Sequence, residues 1–309
     1  MTARILAFTR YEGMGASSRV RFLQYVPHLE RMGLQVTVCP LLPDEYLERL
    51  YARGTRSWPD IAVAQIKRVW QLLSRRDHDI VWLQRELLPF VPFLLERAFL
   101  GRRKLVIDLD DAHHLYYKQA PSALLRALYG NKIERLLKRA DAVVVGNESL
   151  AEMARRAGAR NAHVVYSAVD TSRYAVKQRA AGEPFKIGWI GTPVTAQEAL
   201  PIVRDAIVQF LAEHEAGCVI VGAGPAAPTE IPGEQIPWSE AAAESVLPTL
   251  SVGLCPLADT EWNRGKSGYK IIQYMAAGVP TLASPVGIAS QIVEHGQTGY
   301  HCRSTDDWY

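Results

Sequence analysis

The chain of 309 residues has four cysteines, Cys39, Cys218, Cys255 and Cys302, and none of them shares a CxxC spacing. That argues against a disulfide framework and a cysteine zinc site, and it fits a reducing, cytoplasmic setting. No apolar run reaches the length of a membrane span. The opening MTARILAFTR has no signal-peptide apolar core. Low-complexity segments and a GxGxxG fingerprint are also missing, so a dinucleotide signal is weak. No Ser/His/Asp constellation and no supported Cys/His pair is legible. His28, His78, His163, His214, His295 and His301 read as structural or exposed. Positive charge is scarce in one half. Residues 179–309 hold 7 Lys+Arg against 14 Asp+Glu, a net of −7, whereas residues 1–178 hold 28 against 18, a net of +10. A basic half is either a solvated face or the mark of an anionic surface or substrate.

What is present is an alternation of short apolar strands and amphipathic helices. Strands are predicted at 4–8, 35–39, 80–83, 104–108, 142–146 and 163–166. The pattern restarts at 185–190, 217–221, 252–256 and 281–283. Helices are predicted between them, among others at 18–32, 44–53, 60–75, 87–100, 122–139 and 195–213. A polar stretch at 168–184, with Lys177, Arg179, Gly182 and Pro184, reads as a linker. The fold expected is α/β, with doubly wound parallel-sheet domains at 1–178 and 179–309.

Several loops carry candidate chemistry. The turn at 11–17 contains Gly13 and Gly15, with Ser17 or Ser18 placed to cap the next helix and Arg19 and Arg21 placed to reach an anion. After the strand at 104–108 come Asp110, Asp111, His113 and His114, where open α/β sheets put ligands. Four readings stand there. Asp108 and Asp110 could hold a divalent metal against a diphosphate. They could be nucleophile and acid of a haloacid-dehalogenase-like phosphatase, although Ala112 is unusual for that motif. Asp111 or His113 could orient or deprotonate a hydroxyl. All could simply cap the turn. Asn147 and Glu148 suit a helix start. The helix at 60–75 carries Trp70 with Lys67, Arg68 and Arg75. It either packs Trp70 inward or lies on an anionic membrane. In the second half, Gly191, Thr192 and Pro193 follow one strand, and Gly222 to Gly224 follow the next.

The stretch 265–287, GKSGYKIIQYMAAGVPTLASPVG, reads as a glycine loop, a helix of roughly three turns, a C′ glycine at Gly278 and a buried strand. Tyr269, Ile272 and Ala276 form its expected apolar stripe. Lys266, Lys270 and Gln273 fall at i, i+4 and i+7 on the other face. Such a helix start offers free N–H groups and positive charge to an anion, and Gln273 could hydrogen-bond a ribose.

These residues carry a family resemblance. GYKIIQYMAAGVPTLASPVGIASQIVEHGQTGY (268–300) is similar to the nucleotide-sugar segment of GT-B glycosyltransferases of family 4, the glycosyl transferases group 1. GASSRVRFLQYVPHLERMG, VVVGNESLAEMARRAG, VVYSAVDTSRY and IGWIGTP extend the resemblance over nearly the whole chain. It implies two Rossmann-like domains facing across a cleft, the first for the acceptor and the second for a nucleotide-diphosphate sugar. It implies a retaining transferase acting on a hydroxyl of a glycan or lipid-linked acceptor, without metal or other cofactor. No nucleic-acid partner is expected. A place on the inner membrane face suits the basic half. Carried over by position, Gly15 lies near the diphosphate, Thr192 and Gly222 line the donor site, and Lys266 and Lys270 clamp the diphosphate. Gln273 stands where the family has a ribose-binding glutamate, and Gly265 where it has another glutamate. The catalytic set expected is Asp111, His113 and Lys266. Relatives usually continue beyond the position of Tyr309 and cross back, so the second domain is expected to be incomplete. The alternatives are a nucleotide-sugar-binding module without turnover and the metal-dependent phosphatase.

Overall fold

The computed structural model describes residues 3–176 and 182–309. The chain forms two compact units, Met1–Ser167 with Gly265–Ser267, and Ala168–Arg264 with Gly268–Tyr309. The boundary expected at 178/179, and the linker residues Lys177 and Arg179, fall outside the described residues.

The N-terminal unit is built on six parallel strands: β1 (Arg4–Tyr11), β2 (Gln35–Leu42), β3 (Ile80–Gln84), β4 (Lys104–Leu109), β5 (Ala142–Val145) and β6 (Ala162–Val164), in the order β2-β1-β3-β4-β5-β6. Its helices are α1 (Ala16–Arg21), α2 (Val26–Arg31), α3 (Asp44–Arg53), α4 (Trp58–Ser74), α5 (Phe93–Leu100), α6 (His114–Lys118), α7 (Ala123–Tyr129), α8 (Lys132–Arg139) and α9 (Glu148–Arg156). Leu6, Phe8, Val81, Leu83, Ile107 and Val143 are completely buried on the central strands. Strands covered on both faces read as continuous apolar runs, which is why their positions were legible.

The second unit repeats the plan with β7 (Phe185–Ile190), β8 (Ala216–Val221), β9 (Glu234–Ile236), β10 (Val252–Cys255), β11 (Thr281–Ala283) and β12 (Gly299–His301), in the order β12-β11-β10-β7-β8-β9. Its helices are α10 (Pro193–Glu213), α11 (Glu240–Val246), α12 (Glu261–Arg264), α13 (Tyr269–Ala276), α14 (Ala289–Ile292) and α15 (Thr305–Trp308). Trp189, Leu200, Val203, Ile207, Ile220 and Leu254 pack together in its core. The first strand of each sheet has its successor on one side and a later strand on the other. The sheets therefore reverse direction at β1/β3 and β7/β10, where open α/β sheets bind ligands.

Several expected helices are shorter than their periodicity suggested. The helix predicted at 18–32 splits into α1, a 3₁₀ turn (Leu23–Tyr25) and α2, with Phe22 at φ −127°, ψ −68°. Pro27, at the start of α2, has no N–H to give to a preceding turn, and that forces the restart. Neither serine caps α1, whose N-cap is Gly15. Ser18 instead accepts from the Tyr11 N–H at 3.0 Å and donates to Gln84 at 2.9 Å. The segment predicted at 87–100 is helical only from Phe93, after Pro92. The long helix expected at 122–139 is two, α7 and α8, parted at Gly130 and Asn131. Trp70 does not pack inward and is 65% exposed.

Candidate functional site

In the N-terminal unit four strand ends bring polar groups together. The β1–α1 turn gives Ser17, the residue after β3 gives Arg85, the β4–α6 turn gives Asp110, Asp111 and His113, and β5 leads to Gly146 and Asn147. Asp108, at the end of β4, faces Arg21: Nε donates to Oδ1 at 2.8 Å and Nη2 to Oδ2 at 3.1 Å, with both side chains at most 3% exposed. Burial pushes the Asp108 carboxyl up to about 6, and Arg21 pulls against it. Burial also works against the Arg21 charge, but Asp108 holds its pKa above the ordinary value. Arg21 is therefore bound to Asp108 and also donates to the Val165 carbonyl at 2.5 Å; it is not placed for an outside anion. Asp108, with both oxygens engaged, is unavailable as a phosphatase nucleophile.

Asp110 is different. Burial would raise its pKa, but the hydrogen bond from His113 (Nε2 to Oδ1, 3.3 Å), the Arg85 guanidinium at 3.8 Å and Ser17 hold it well below the usual range. His113 is pushed down to about 4, first by burial and then by Arg85, against the pull of Asp110. It is thus neutral at pH 7, with the proton on the Nε2 that donates to Asp110. Asp111 is pushed up to about 7 by burial and by the charge of Asp110, while Arg85 and Lys266 pull it down. The result is a fixed carboxylate beside a carboxyl that titrates near neutrality, the separation that acid–base chemistry uses. Oxygens of Asp110 and Asp111 and a ring nitrogen of His113 lie within 4.8 Å of one another.

One contributor here, Arg85, was not singled out from the sequence, and another, Asn147, was read only as a helix cap. Arg85 has φ +67°, unusual for a side-chain-bearing residue, and its Nη2 reaches Ser17 at 3.4 Å. Its place directly after a strand was the available signal. Asn147 does cap α9, accepting from the Leu150 N–H at 2.9 Å. Its Nδ2 also donates to the Gly265 and Lys266 carbonyls, both at 2.9 Å. The 265–267 segment thereby belongs to this unit. A Cβ on Gly265 would sit 2.7 Å from the Ala112 Cβ, so the position where relatives carry a glutamate has no room for a side chain here.

The spacing expected for Lys266, Lys270 and Gln273 on one helix face is not what forms. Gly268, at φ +68°, precedes α13, so Lys266 lies outside the helix. The buried residues of α13 are Ile271, Gln273 and Tyr274, and the expected stripe of Tyr269, Ile272 and Ala276 is only half-buried. Gln273 is 8% exposed and donates to the Tyr174 hydroxyl at 3.0 Å.

In the second unit, the expected donor residue Lys270 lies over one buried indole, and two more, Thr192 and Gly222, lie beside Gly191, which packs on the same ring. Lys270, in the first turn of α13, sets its Nζ 4.3 Å from the Trp189 ring centroid, a cation–π contact. Gly191 lies against the same ring, since a Cβ there would collide with it. Gly222, at φ +82°, packs so closely that a Cβ would collide with the Gly191 carbonyl oxygen. Thr192 is the N-cap of α10 in a reciprocal box with Thr195, with Pro193 in the first turn. Two helix N-termini, a lysine and two glycine turns thus occupy the ends of β7, β8 and β10. Trp189, the platform, was missed because a tryptophan inside a strand reads as core. Gly15, with α1, belongs to the other unit; a Cβ on it would meet the Tyr11 side chain at 2.5 Å.

Comparison with known proteins follows the same division. Residues 19–173 match the family model for Glycosyltransferase Family 4, and residues 184–308 match that for Glycosyl transferases group 1. No curated protein matches the chain. Similar solved structures include HepE of Anabaena (Alr3699), in complex with UDP and glucose, at 15% identity over 99% of this chain and 87% of that one, TM-score 0.64. They also include the sucrose-phosphate synthase (tll1590) of Thermosynechococcus elongatus, at 13% identity over 99% and 87%, TM-score 0.62. A third is the apo form of the lipopolysaccharide outer core galactosyltransferase WaaB, at 14% identity over 99% and 88%, TM-score 0.60. At these identities the likeness is one of fold, and it bears out the α/β GT-B architecture of two parallel six-stranded sheets. With the two family matches covering both units, the chain belongs to glycosyltransferase family 4, the glycosyl transferases group 1.

Proposed function

We propose that the protein moves a sugar from a nucleotide-diphosphate sugar to a hydroxyl of a glycan or lipid-linked acceptor, with retention of anomeric configuration. The observation that carries the donor half is the cluster around Trp189. Lys270 and the α13 N-terminus supply positive charge, and Gly191 and Gly222 let a diphosphate approach the backbone closely. The solved HepE complex with UDP and glucose supports a nucleotide sugar as donor. In this reading Lys270 and the helix N-terminus stabilise the leaving diphosphate, the charge that a metal would otherwise meet. Gln273 offers the ribose a neutral amide.

The acceptor half rests on the β4–α6 turn. Asp111, half ionised near pH 7, accepts the proton of the acceptor hydroxyl as the C1–O bond to the diphosphate breaks and the new glycosidic bond forms on the same face of the sugar, which keeps the anomeric configuration. His113 and Asp110 fix the surrounding hydrogen bonds, and Lys266 helps to keep Asp111 from rising further. The test is a transfer assay with UDP-, GDP-, ADP- and dTDP-sugars, followed by NMR of the product anomer. One donor giving a retained glycoside is the expected result. Binding without transfer or hydrolysis to any hydroxyl acceptor would favour the non-catalytic sugar-nucleotide module, and an inverted product would overturn retention.

A further inference from the structure

α4 buries two polar side chains and turns a row of apolar ones outward. The buried side includes Arg68 and Gln71 with Ile61 and Leu72. The outer side presents Val63, Ile66, Trp70 and Leu73, each between 39% and 72% exposed. These four recur at helical spacing along about 15 Å of helix. The rotation of α4 is fixed from within. Arg68 is 1% exposed and donates to the carbonyls of Thr9, Cys39 and Leu87, so turning the helix to hide Trp70 would strand a buried guanidinium. α5 packs beside α4 and leaves Leu94 and Leu95 exposed as well. Arg103 ties the segment after α5 to the end of α4 by donating to the Leu72 carbonyl at 3.0 Å.

The charges on these stretches are mostly positive, and the acids at the two ends of α4, Asp60 and Asp77, are paired with Arg49 and Arg4. Exposed cations are Lys67, Arg76, Arg97, Arg102 and Lys104. Between 61 and 76 there is no acid at all. Between 93 and 104 the one acid, Glu96, is fully buried with Lys132. An outward apolar stripe with a tryptophan, bordered along its length by lysine and arginine and by carboxylates only at the helix ends, is complementary to a layer of anionic headgroups over acyl chains. A protein partner is a poorer match, because protein interfaces are depleted in lysine at their centre and Lys67 lies within this stripe.

We propose that the outer face of α4, with the exposed leucines of α5, docks the N-terminal unit on the surface of an anionic lipid bilayer. The helix lies in the plane of the headgroups, with Ile66, Trp70 and Leu73 dipping below them. This rests on a surface remote in sequence from the donor cluster, and no nucleotide is needed to test it.

The full chain is sedimented with vesicles of phosphatidylcholine alone and of equimolar phosphatidylcholine and phosphatidylglycerol, at low and high salt. Binding to the anionic vesicles only, weakened by salt, is expected. Ile66→Ser/Trp70→Ser should lower that binding about tenfold or more, from the lost apolar contact. Both side chains are exposed, so its thermal unfolding should match wild type. Lys67→Glu/Arg102→Glu should lose the preference for anionic lipid. As a check independent of that double variant, brominated lipid should quench wild-type fluorescence and quench Trp70→Phe less. The proposal is overturned if wild type ignores both vesicles, if the serine variant binds as wild type, or if that variant only converts a dimer to a monomer. Because nucleotide is absent, failure here and failure of the donor reading are separate outcomes.

Discussion

The two units share a plan and differ in what they place at the strand ends. Each has six parallel strands with one reversal of order. In the N-terminal unit the reversal gathers Asp108, Asp110, Asp111, His113, Arg21 and Arg85, and burial shifts the titrations of Asp108, Asp111 and His113. In the C-terminal unit it gathers glycines, a threonine cap and one lysine over an indole. The first arrangement is suited to moving a proton, the second to receiving a polyanion on backbone amides. One fold thus supports two kinds of chemistry through its loops.

The comparison extends to stability, where the largest effect is expected. Lys132 is buried between Glu86 (2.6 Å) and Glu96 (2.8 Å). Lys132→Met leaves two buried carboxyl groups without their cation and should cost roughly 3–5 kcal/mol in urea unfolding. Arg264→Met, which removes an exposed pair with Asp259 in the other unit, should leave unfolding unchanged. Equal losses would erase the distinction.

Next in size is Asp111→Asn, which should lower transfer by about 10²–10⁴-fold with little change in donor affinity. Lys270→Ala should do the reverse, weakening nucleotide-sugar binding by roughly 10- to 100-fold through loss of a charged contact. Both are read from initial rates and from titration calorimetry.

The pH dependence follows from Asp111. Its folded pKa of about 7 lies above the ordinary carboxylate value. Between about pH 4 and 7 the folded protein therefore keeps a proton that the unfolded chain releases, and stability falls as pH rises through that window. His113, pushed down to about 4, has the opposite sign: it adds stability as pH rises from 4 towards its ordinary value near 6.5. Asp111→Asn should flatten the first slope, so the variant gains more on wild type at pH 8 than at pH 5. Transfer by wild type should rise with pH through about 7. A variant that tracks wild type at both pH values would place the proton elsewhere. The smallest effect is expected for Gln273→Glu, a few-fold change in donor affinity, because its partner Tyr174 can donate to a carboxylate as readily as it accepts from an amide.

Much of this was legible from local pattern. Buried parallel strands declare themselves as apolar runs, and Gly222, Gly278 and Thr192 mark turns and caps by their chemistry. What was hidden depends on contacts distant in sequence. The Arg21–Asp108 pair joins residues 87 apart, so Arg21 read as a cation placed to reach an outside anion. Gly265 looked like a lost glutamate until Ala112 was found against it. Lys266 shared a helical spacing with Lys270, yet the backbone at Gly268 breaks that helix before it starts. The outward apolar row of α4 could not be read from periodicity, because Arg68 hydrogen-bonds to carbonyls of three other segments.

The division of labour is tested most directly by one titration series. The nucleotide sugar giving the largest thermal shift is titrated into wild type, Lys270→Ala and Asp111→Asn, and transfer is measured on the same samples. Lys270→Ala should weaken binding by about tenfold or more, while Asp111→Asn binds as wild type and transfers almost nothing. Undiminished binding by Lys270→Ala, or an equal loss in Asp111→Asn, would contradict the assignment of donor and acceptor chemistry to the two units.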